Sequence, residues 1–455
     1  MKHTNDLGKD CIPSLVLKLA IPTMIAQFVN VLYSIIDRMY IGNIKEFGNL
    51  ALAGVGICGP IVSLLSSFGT LIGLGGSILM AMKLGEGNKK KAAQILSNCF
   101  LILTVFSVFL TILFLLCKEQ LLMWFGASEI TFPYADTYLT IYTAGTFFAL
   151  MAMGLNYFIT CQGFSTVGMI TVLIGAIANI ILDPIFIFVF HMDVAGAALA
   201  TVIAQFASCT FAICFLFSKY VPVRISFGNY SRAILKRVLT LGLSPFLILA
   251  TDSLIILIMN RVLQQYGGPK EGDMLISCVT IIQSYFMLIT GPMLGISGGT
   301  QAIISYNYGA CAVKRVKSAE WHILKLCLIF TTIMFVVSRI FPQYFVSIFT
   351  ENPAYQELSI WGIKVFTLAI IPLSFQYIFV DGLTALGCTK ISLYLSMFRK
   401  VCYVLFTLFI PLFLPAKNVF YAQPLADIIS SVQSIVIFLI VLNPYLKKRE
   451  AQTIS

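Results

Sequence analysis

Charged side chains are scarce in this sequence: they make up 11% of its 455 residues, whereas 59% are hydrophobic and the mean hydropathy is +0.93. A soluble domain of this size covers its outside with polar groups, and this composition cannot supply them. Apolar stretches of about twenty residues or more recur along the chain, each long enough to cross a hydrocarbon layer of about 30 Å. The composition therefore indicates a protein that lies in lipid.

Histidine is also rare, with three residues, and the twelve cysteines stand singly. No spacing in the sequence suggests a zinc site, a nucleophile elbow or a phosphate-binding loop, which argues against a membrane-embedded enzyme or receptor. The short polar N-terminus precedes an apolar stretch too long for the core of a cleavable signal, so we interpret it as a tail.

Segmentation of the apolar stretches predicts an all-α polytopic membrane protein with twelve transmembrane helices. The predicted helices are residues 15–41, 51–82, 92–117, 133–160, 165–190, 194–218, 238–266, 273–306, 319–341, 357–386, 390–414 and 418–443.

The net charge of +11 is distributed unevenly between the connections. With the N-terminus inside the cell, basic residues gather in the even-numbered connections, as at Lys89, Arg237 and Lys314, and in the C-terminal tail. The opposite connections hold few. This positive-inside asymmetry predicts that both termini are cytoplasmic. The basic excess thus orients the chain in the membrane, and no nucleic-acid partner is expected.

The chain consists of two halves with similar sequence patterns, which meet near its middle. The block GGSILMAMKLGEGNKKKA, from Gly75, aligns with GGTQAIISYNYGACAVKRVKSA, from Gly298, and Gly163 aligns with Gly387 at nearly the same offset. Two shorter matches occur in the same order. A parallel repeat of six helices predicts two lobes that rock around a central site. The predicted division is an N-terminal tail (1–14), an N-lobe (15–218), a cytoplasmic linker (219–237), a C-lobe (238–443) and a C-terminal tail (444–455).

The first predicted helix carries a polar stripe. Gln27, Asn30, Ser34 and Asp37 are three or four residues apart and therefore share one face of an otherwise apolar helix. An ionisable side chain in the hydrocarbon is costly, so Asp37 is a candidate functional residue.

The fifth helix carries Asn179 and Asp183 one turn apart, and Pro184 is expected to bend it and bias Asp183 away from regular helix. If helices 1, 5 and 6 pack together, Asp37 and Thr201 join this pair. Such oxygen ligands suit a hard cation, and two carboxylates in one low-dielectric pocket also favour a proton. A polar cluster that only pins the helices together is the alternative.

The second half also places charge inside predicted helices, at Asp252, Asp381, Arg399, Lys400 and Asp427. Arg399 lies about 13 Å along its helix from Lys390, which is deep for a surface charge. Asp381 or Asp427 is its expected partner. A structural ion pair and a role in substrate or proton binding both stay open.

Glycines accumulate in the second and eighth helices, at matching places in the two halves. Bendable helices at a moving interface would explain them, and so would close helix packing.

Five segments carry a family resemblance. They are IPTMIAQFVNVLYSIIDRMYIGN, NIILDPIFIF, GAALATVIAQ, GISGGTQAIISYNYGA and YAQPLADIISS, within about residues 12–443. With them the chain resembles the MATE family of multidrug and toxic compound extrusion transporters, most closely its bacterial DinF-like and MepA-like members. The resemblance implies two pseudo-symmetric six-helix lobes (the MATE/MOP fold), a V-shaped central cavity, and antiport of drugs against protons or sodium.

The resemblance also implies roles for individual residues. The family's N-lobe cation site falls on Asp37, Asn179, Asp183 and Thr201, the set that spacing had already indicated. The only cofactor-like component expected is the coupling ion, H⁺ or Na⁺.

The family's C-lobe residues match less evenly. Asp252 aligns approximately with a seventh-helix acid of the NorM branch, whereas Asp381 lies about half a dozen residues out of register with that branch's tenth-helix acid. Arg399 and Asp427 fit an arginine and an acid of MepA-like sequences. The candidate substrate-cavity residues are Gln27, Asn30, Tyr33, Asn156, Gln205, Asp252, Gln283, Asp381, Arg399 and Asp427.

These observations predict a monomeric multidrug antiporter of the bacterial cytoplasmic (inner) membrane that exports small-molecule drugs or toxic metabolites. A flippase or exporter for a lipid-linked or other endogenous metabolite, with a related fold, is the alternative. Acidic residues in the N-lobe argue against the flippase, whereas Arg399 and Lys400 argue faintly for it.

Overall fold

The computed structural model of the chain describes residues 5–44 and 48–454, and these are nearly all helical. Within them, eleven helices are long and apolar enough to cross a membrane, and one further pair of helices passes the same test together. Counting the pair as one span gives twelve, which confirms the predicted fold class. Helices suit this environment because lipid offers the backbone no hydrogen-bond partner.

The N-lobe contains spans 1 to 6. These are Ile12–Gly42, Gly48–Gly85, Lys89–Trp124, the pair Phe132–Ala144 and Thr146–Thr160, Ser165–Val189, and Asp193–Phe217.

The C-lobe contains spans 7 to 12. These are Arg232–Gly268, Met274–Gly309, Val313–Ile340, Pro353–Ala385, Thr389–Phe413 and Ala416–Lys447, with a short helix, Pro342–Val346, after span 9.

The helix ends differ from the predicted boundaries. Span 1 begins within the predicted N-terminal tail, and span 7 begins at Arg232, inside the predicted linker. The last helix, Ala422–Ile454, continues through residues assigned to the C-terminal tail, with Pro444 inside it. Residues 1–4 and 455 of the two tails lie outside the described residues. Apolar runs mark the lipid-embedded part of a helix, and polar turns beyond it extend the helix further.

Glycines with positive φ close matching connections in the two lobes. Gly163 (φ +90°) follows span 4, and Gly387 (φ +85°) follows span 10. An L-residue pays a steric cost in this conformation and glycine does not. The sequence match between these two glycines therefore corresponds to the same turn, used once in each lobe.

Close packing between the lobes involves glycines of spans 2, 7 and 8. A Cβ added at Gly75 would lie 2.7 Å from the backbone nitrogen of Gly242, and one at Gly295 would meet the backbone of Met24. The second span is one continuous helix from Gly48 to Gly85. Gly75 thus serves close packing, the second of the two interpretations left open by the sequence, whereas Gly56 on the same span has no neighbour within 4 Å.

The interlobe contacts lie toward one side of the molecule. Both described chain ends lie on this side, since Asn5 contacts Gly163 after span 4 and Tyr445 contacts Leu386 after span 10. We call it the terminal face. Phe68 of span 2 meets Phe246 of span 7 with ring centroids 4.9 Å apart, and Thr23 Oγ1 donates a hydrogen bond to Gly295 O at 2.6 Å. Phe68 lies about 25 Å along span 2 from its end at Gly85, roughly half the length of that helix. These contacts therefore hold the lobes together over the half nearer the terminal face.

A short N-terminal segment, residues 5–11, also bridges the lobes, and we call it the N-terminal strap. Asn5 Nδ2 donates to Gly163 O of the N-lobe at 3.0 Å. On the other lobe, Asn307 Nδ2 donates to Leu7 O at 3.0 Å, and Arg315 Nη2 donates to Asp10 O at 2.8 Å.

Candidate cation site

Spans 1, 5 and 6 bring together all four residues of the predicted N-lobe set. The carboxyl groups of Asp37 and Asp183 lie within hydrogen-bonding reach of each other. Asn179 Nδ2 donates to Asp183 Oδ1 at 3.1 Å and to Thr201 Oγ1 at 3.3 Å. Asp183 and Asn179 are fully buried. The spacing argument thus selected residues that meet in one small space.

Pro184 affects the fifth span differently from the sequence expectation. Asp183 lies within the regular helix Ser165–Pro184, so the predicted departure from helix at this residue is wrong. The irregularity follows the proline instead, as a turn of π-helix over Ile185–Val189. Proline has no backbone N–H, so the carbonyl of Ile180, one turn earlier, loses its helical partner, and the helix becomes irregular beyond the proline and not at the carboxylate.

Three oxygen atoms of this site have no hydrogen-bond donor among the described residues. They are Asp37 Oδ1, Asn179 Oδ1 and Asp183 Oδ2, and all three are buried. A buried acceptor left unpaired costs about 1–3 kcal/mol. Two carboxylates in contact also repel each other unless a proton or another cation lies between them. The arrangement therefore fits a bound cation with oxygen ligands.

Aromatic side chains form one wall of the site. Tyr33 lies within electrostatic range of Asp37 and Asp183. On span 4, the rings of Tyr138 and Tyr142 stack with centroids 6.2 Å apart, and Gln205 Nε2 donates to the Tyr142 hydroxyl at 3.2 Å. Sequence reasoning missed Tyr138 and Tyr142. Their four-residue spacing was the available signal, but it does not say which face of span 4 meets the site.

In the C-lobe, the charged candidates form two ion pairs. Arg399 Nε donates to Asp427 Oδ1 at 2.7 Å, and Gln423 Nε2 donates to the other carboxylate oxygen at 2.9 Å. Asp427 is fully buried. Lys400 pairs with Asp252, whose side chain is about half exposed. Of the two partners expected for Arg399, Asp427 is therefore the one that it binds.

The remaining candidate substrate-cavity residues do not form one cluster. Asn156 Nδ2 donates to Gly168 O at 2.8 Å and so links spans 4 and 5, whereas Asn30 is exposed. Gln27 and Gln283 are half-buried. Asp381 is a member of neither ion pair and accepts a hydrogen bond from Ser297 Oγ at 2.5 Å.

A family model described as MatE matches residues 22–185 and, separately, residues 246–409. Each match falls within one lobe. The chain belongs to the MatE family. The same model matches both halves, which agrees with the repeat that the aligned sequence blocks indicated.

Known MatE relatives are similar along most of the chain. A multidrug export protein MepA of Staphylococcus haemolyticus is 26% identical over 373 residues, which cover 81% of this chain and 80% of that protein. The MepA protein of Staphylococcus aureus strain N315 is 25% identical over the same length. An outward-facing structure of a multidrug resistance MATE family transporter of the MOP superfamily superposes with a TM-score of 0.91 at 23% identity, covering 98% of this chain and 99% of the other. The MATE resemblance of the sequence and the MOP fold are confirmed.

Proposed function

We propose that the chain is a secondary antiporter of the bacterial cytoplasmic membrane, which exports organic, mostly cationic or lipophilic compounds in exchange for H⁺ or Na⁺. The observation that carries the proposal is the contact between Asp37 and Asp183, with three buried oxygen atoms that lack donors. Exporter names among the relatives support the transport class.

Coupling requires that the cation and the exported compound favour different conformations or compete for one site. A cation at Asp37 and Asp183 cancels the repulsion between two buried carboxylates and adds ligands to their unpaired oxygens. Its removal leaves both acids charged in a low-dielectric space, which favours a conformation that hydrates them. Occupancy of the site therefore biases the lobes toward one arrangement.

The proposed orientation places the terminal face in the cytoplasm, following the distribution of basic residues. With the lobes packed together at that face, the cavity opens toward the cell exterior. In this state the cation enters from outside and the exported compound leaves.

Cationic and lipophilic substrates suit the lining of the cavity. Tyr33, which is only partly buried and lies beside Asp37 and Asp183, can present its ring to an organic cation. In the C-lobe, Arg399 and Lys400 are already paired with carboxylates. Neither offers an unpaired positive charge to a phosphate, which argues against the flippase alternative.

The test uses purified full-length protein in lipid vesicles, with proton and sodium gradients imposed separately and efflux of a fluorescent organic cation followed. Efflux driven by one of the two gradients is expected for the wild type, and its loss for Asp37→Asn and Asp183→Asn. Asp193→Asn is the matched control: it removes an acid of the same lobe outside the site, at a positive φ that asparagine tolerates. Gradient-driven efflux at the wild-type rate by either site variant would contradict the proposal.

A further inference from the structure

A second pair of acids lies inside the C-lobe, between spans 9 and 10. Glu320 exposes only 6% of its surface and interacts electrostatically with Asp381. Gly382 lies directly against the Glu320 carboxyl group, because a Cβ at this glycine would lie 2.8 Å from the carboxyl carbon. Because glycine has no side chain, residue 382 leaves the space that the Glu320 carboxyl group occupies.

The two acids differ in their hydrogen bonds. Ser297 Oγ donates to Asp381 at 2.5 Å, and the side chain of Gln301, one turn further along span 8, lies near the same carboxylate. By contrast, Glu320 Oε1 is buried and has no hydrogen-bond partner in the described part of the chain. The hydrogen bond from Ser297 stabilises a charged Asp381, whereas a charged Glu320 would be buried with an unpaired oxygen. The geometry thus fits Glu320 as the neutral acid beside an ionised aspartate.

No salt bridge involves either acid among the described residues. In the part of the chain that the structure describes, the titratable groups that interact with Asp381, besides Glu320, are Tyr157, Cys327 and Tyr377, and none of them carries a positive charge. This arrangement contrasts with the Arg399–Asp427 pair, in which a cation of the protein already neutralises the acid. A proton is therefore the charge that remains to balance the Glu320–Asp381 pair.

Span 8 separates the pair from the interlobe contact. Gly295 and Gly299 pack on span 1 at Thr23, whereas Ser297, on the opposite face of the same helix turns, contacts Asp381. Asp381 also interacts across the interface with Tyr157 of span 4. Separation of the lobes at the terminal face would break the Thr23–Gly295 hydrogen bond and bring water to this part of span 8.

We propose that Glu320 and Asp381 form a second proton-binding site, which exchanges its proton with water on the terminal side when the lobes separate there. The Glu320 O–H bond breaks, a water molecule accepts the proton, and hydration stabilises the two carboxylates left behind. When the lobes close, the water leaves and one proton returns to Glu320. This inference rests on the proposed movement of the lobes, but the chemistry of the site can be measured without transport.

The test is infrared spectroscopy of the purified full-length protein in lipid, in light and heavy water across a range of pH. We expect a carbonyl band of a protonated carboxylic acid that is lost in Glu320→Gln, shifts in frequency in Asp381→Asn, and is unchanged in Asp37→Asn. The band should shift on deuterium exchange and decline as the pH is raised. Addition of sodium chloride at constant pH should leave it in place.

Three results would overturn the proposal: no such band, a band that neither exchanges nor titrates while the protein is folded, or loss of the band with sodium. A band that is present but inert would mean a permanently neutral structural acid. If Glu320→Gln does not fold, the Asp381→Asn variant serves to assign the band to Glu320. Removing the neighbouring charge should shift the stretching frequency of the Glu320 carbonyl, and an unshifted band would contradict the assignment. The infrared test needs no transported compound, so its failure would contradict only the second proton site. The antiport proposal would be contradicted by a different result, normal transport by the Asp37 and Asp183 variants.

Discussion

At the scale of single residues, unpaired oxygen atoms mark the candidate cation site. Asp37, Asn179 and Asp183 each contribute one buried acceptor without a donor among the residues that the structure describes. Sequence spacing located these residues because helical periodicity fixes which side chains share a face. It did not locate Glu320, since this acid follows closely on the basic residues Lys314 and Lys317 and so resembles a surface position. In the structure this acid is buried and packs against Gly382.

Asn179→Leu tests the contribution of the amide to the cation site. The substitution keeps the approximate volume but removes the hydrogen bonds to Asp183 and Thr201 and one acceptor oxygen. A hydrogen bond to a charged group contributes about 1.5–3 kcal/mol, so the cation concentration for half-maximal efflux should rise about tenfold or more. Efflux from vesicles at graded cation concentration measures this. An unchanged cation dependence would exclude Asn179 from the site.

Arg399→Met tests whether the Arg399–Asp427 pair is structural. The change leaves Asp427 as an uncompensated buried charge and should destabilise the protein by about 3–5 kcal/mol. The double variant Arg399→Met with Asp427→Leu should recover most of that loss, because no charge then remains buried. Thermal inactivation in detergent compares the three proteins. Equal stability of the single variant and the wild type would be inconsistent with this role.

At the scale of elements, the sequence predicted each span but not its irregularities. Span 4 bends by 56° between its two helices, where Gly145 packs closely on Val202 of span 6. Span 5 changes to π-helix after Pro184. Hydropathy reports the length of the segment that is embedded in lipid, whereas a bend depends on the neighbour against which the segment packs. The glycines of span 2 illustrate this, since their spacing alone did not distinguish flexibility from packing.

Gly75→Ala tests the interlobe contact of span 2. The new Cβ would lie 2.7 Å from the backbone of Gly242, so the lobes should pack less closely at the terminal face and efflux should fall. Gly56→Ala is the matched control on the same span, where a Cβ has no neighbour within 4 Å. Efflux and thermal stability of both variants check the expectation. An equal effect of the two substitutions would point to helix propensity and not to the contact.

At the scale of the whole molecule, the repeat in the sequence predicted two lobes, but not where they meet. The aligned blocks around Gly75 and Gly298 come from corresponding spans, and the structure packs these spans near each other across the interface. The helix faces that meet at the lobe interface are apolar, and so are the faces that meet lipid. Hydropathy therefore cannot distinguish a face that meets lipid from one that meets the other lobe.

The N-terminal strap should loosen when its C-lobe anchor is removed. Arg315→Met deletes the hydrogen bonds to Leu7 O and Asp10 O while keeping much of the apolar side-chain volume. Amide hydrogen exchange in residues 5–11 should accelerate, because the strap opens locally at lower cost. Lys314→Met, at the neighbouring position, is the control. Unchanged exchange in the Arg315 variant would show that the strap does not depend on this anchor.

The central claim is that a cation at Asp37 and Asp183 is exchanged for an exported compound, and counterflow measures this most directly. Vesicles containing the full-length protein and a pH-sensitive dye, with no gradient imposed, receive an organic cation on one side, and internal pH is recorded with and without sodium. If protons couple, the internal pH should change as the compound enters; if sodium couples, compound entry should require internal sodium. Both responses should be absent in Asp183→Asn. Uptake of the compound by the wild type with neither proton nor sodium movement, or equal counterflow by Asp183→Asn, would contradict the account.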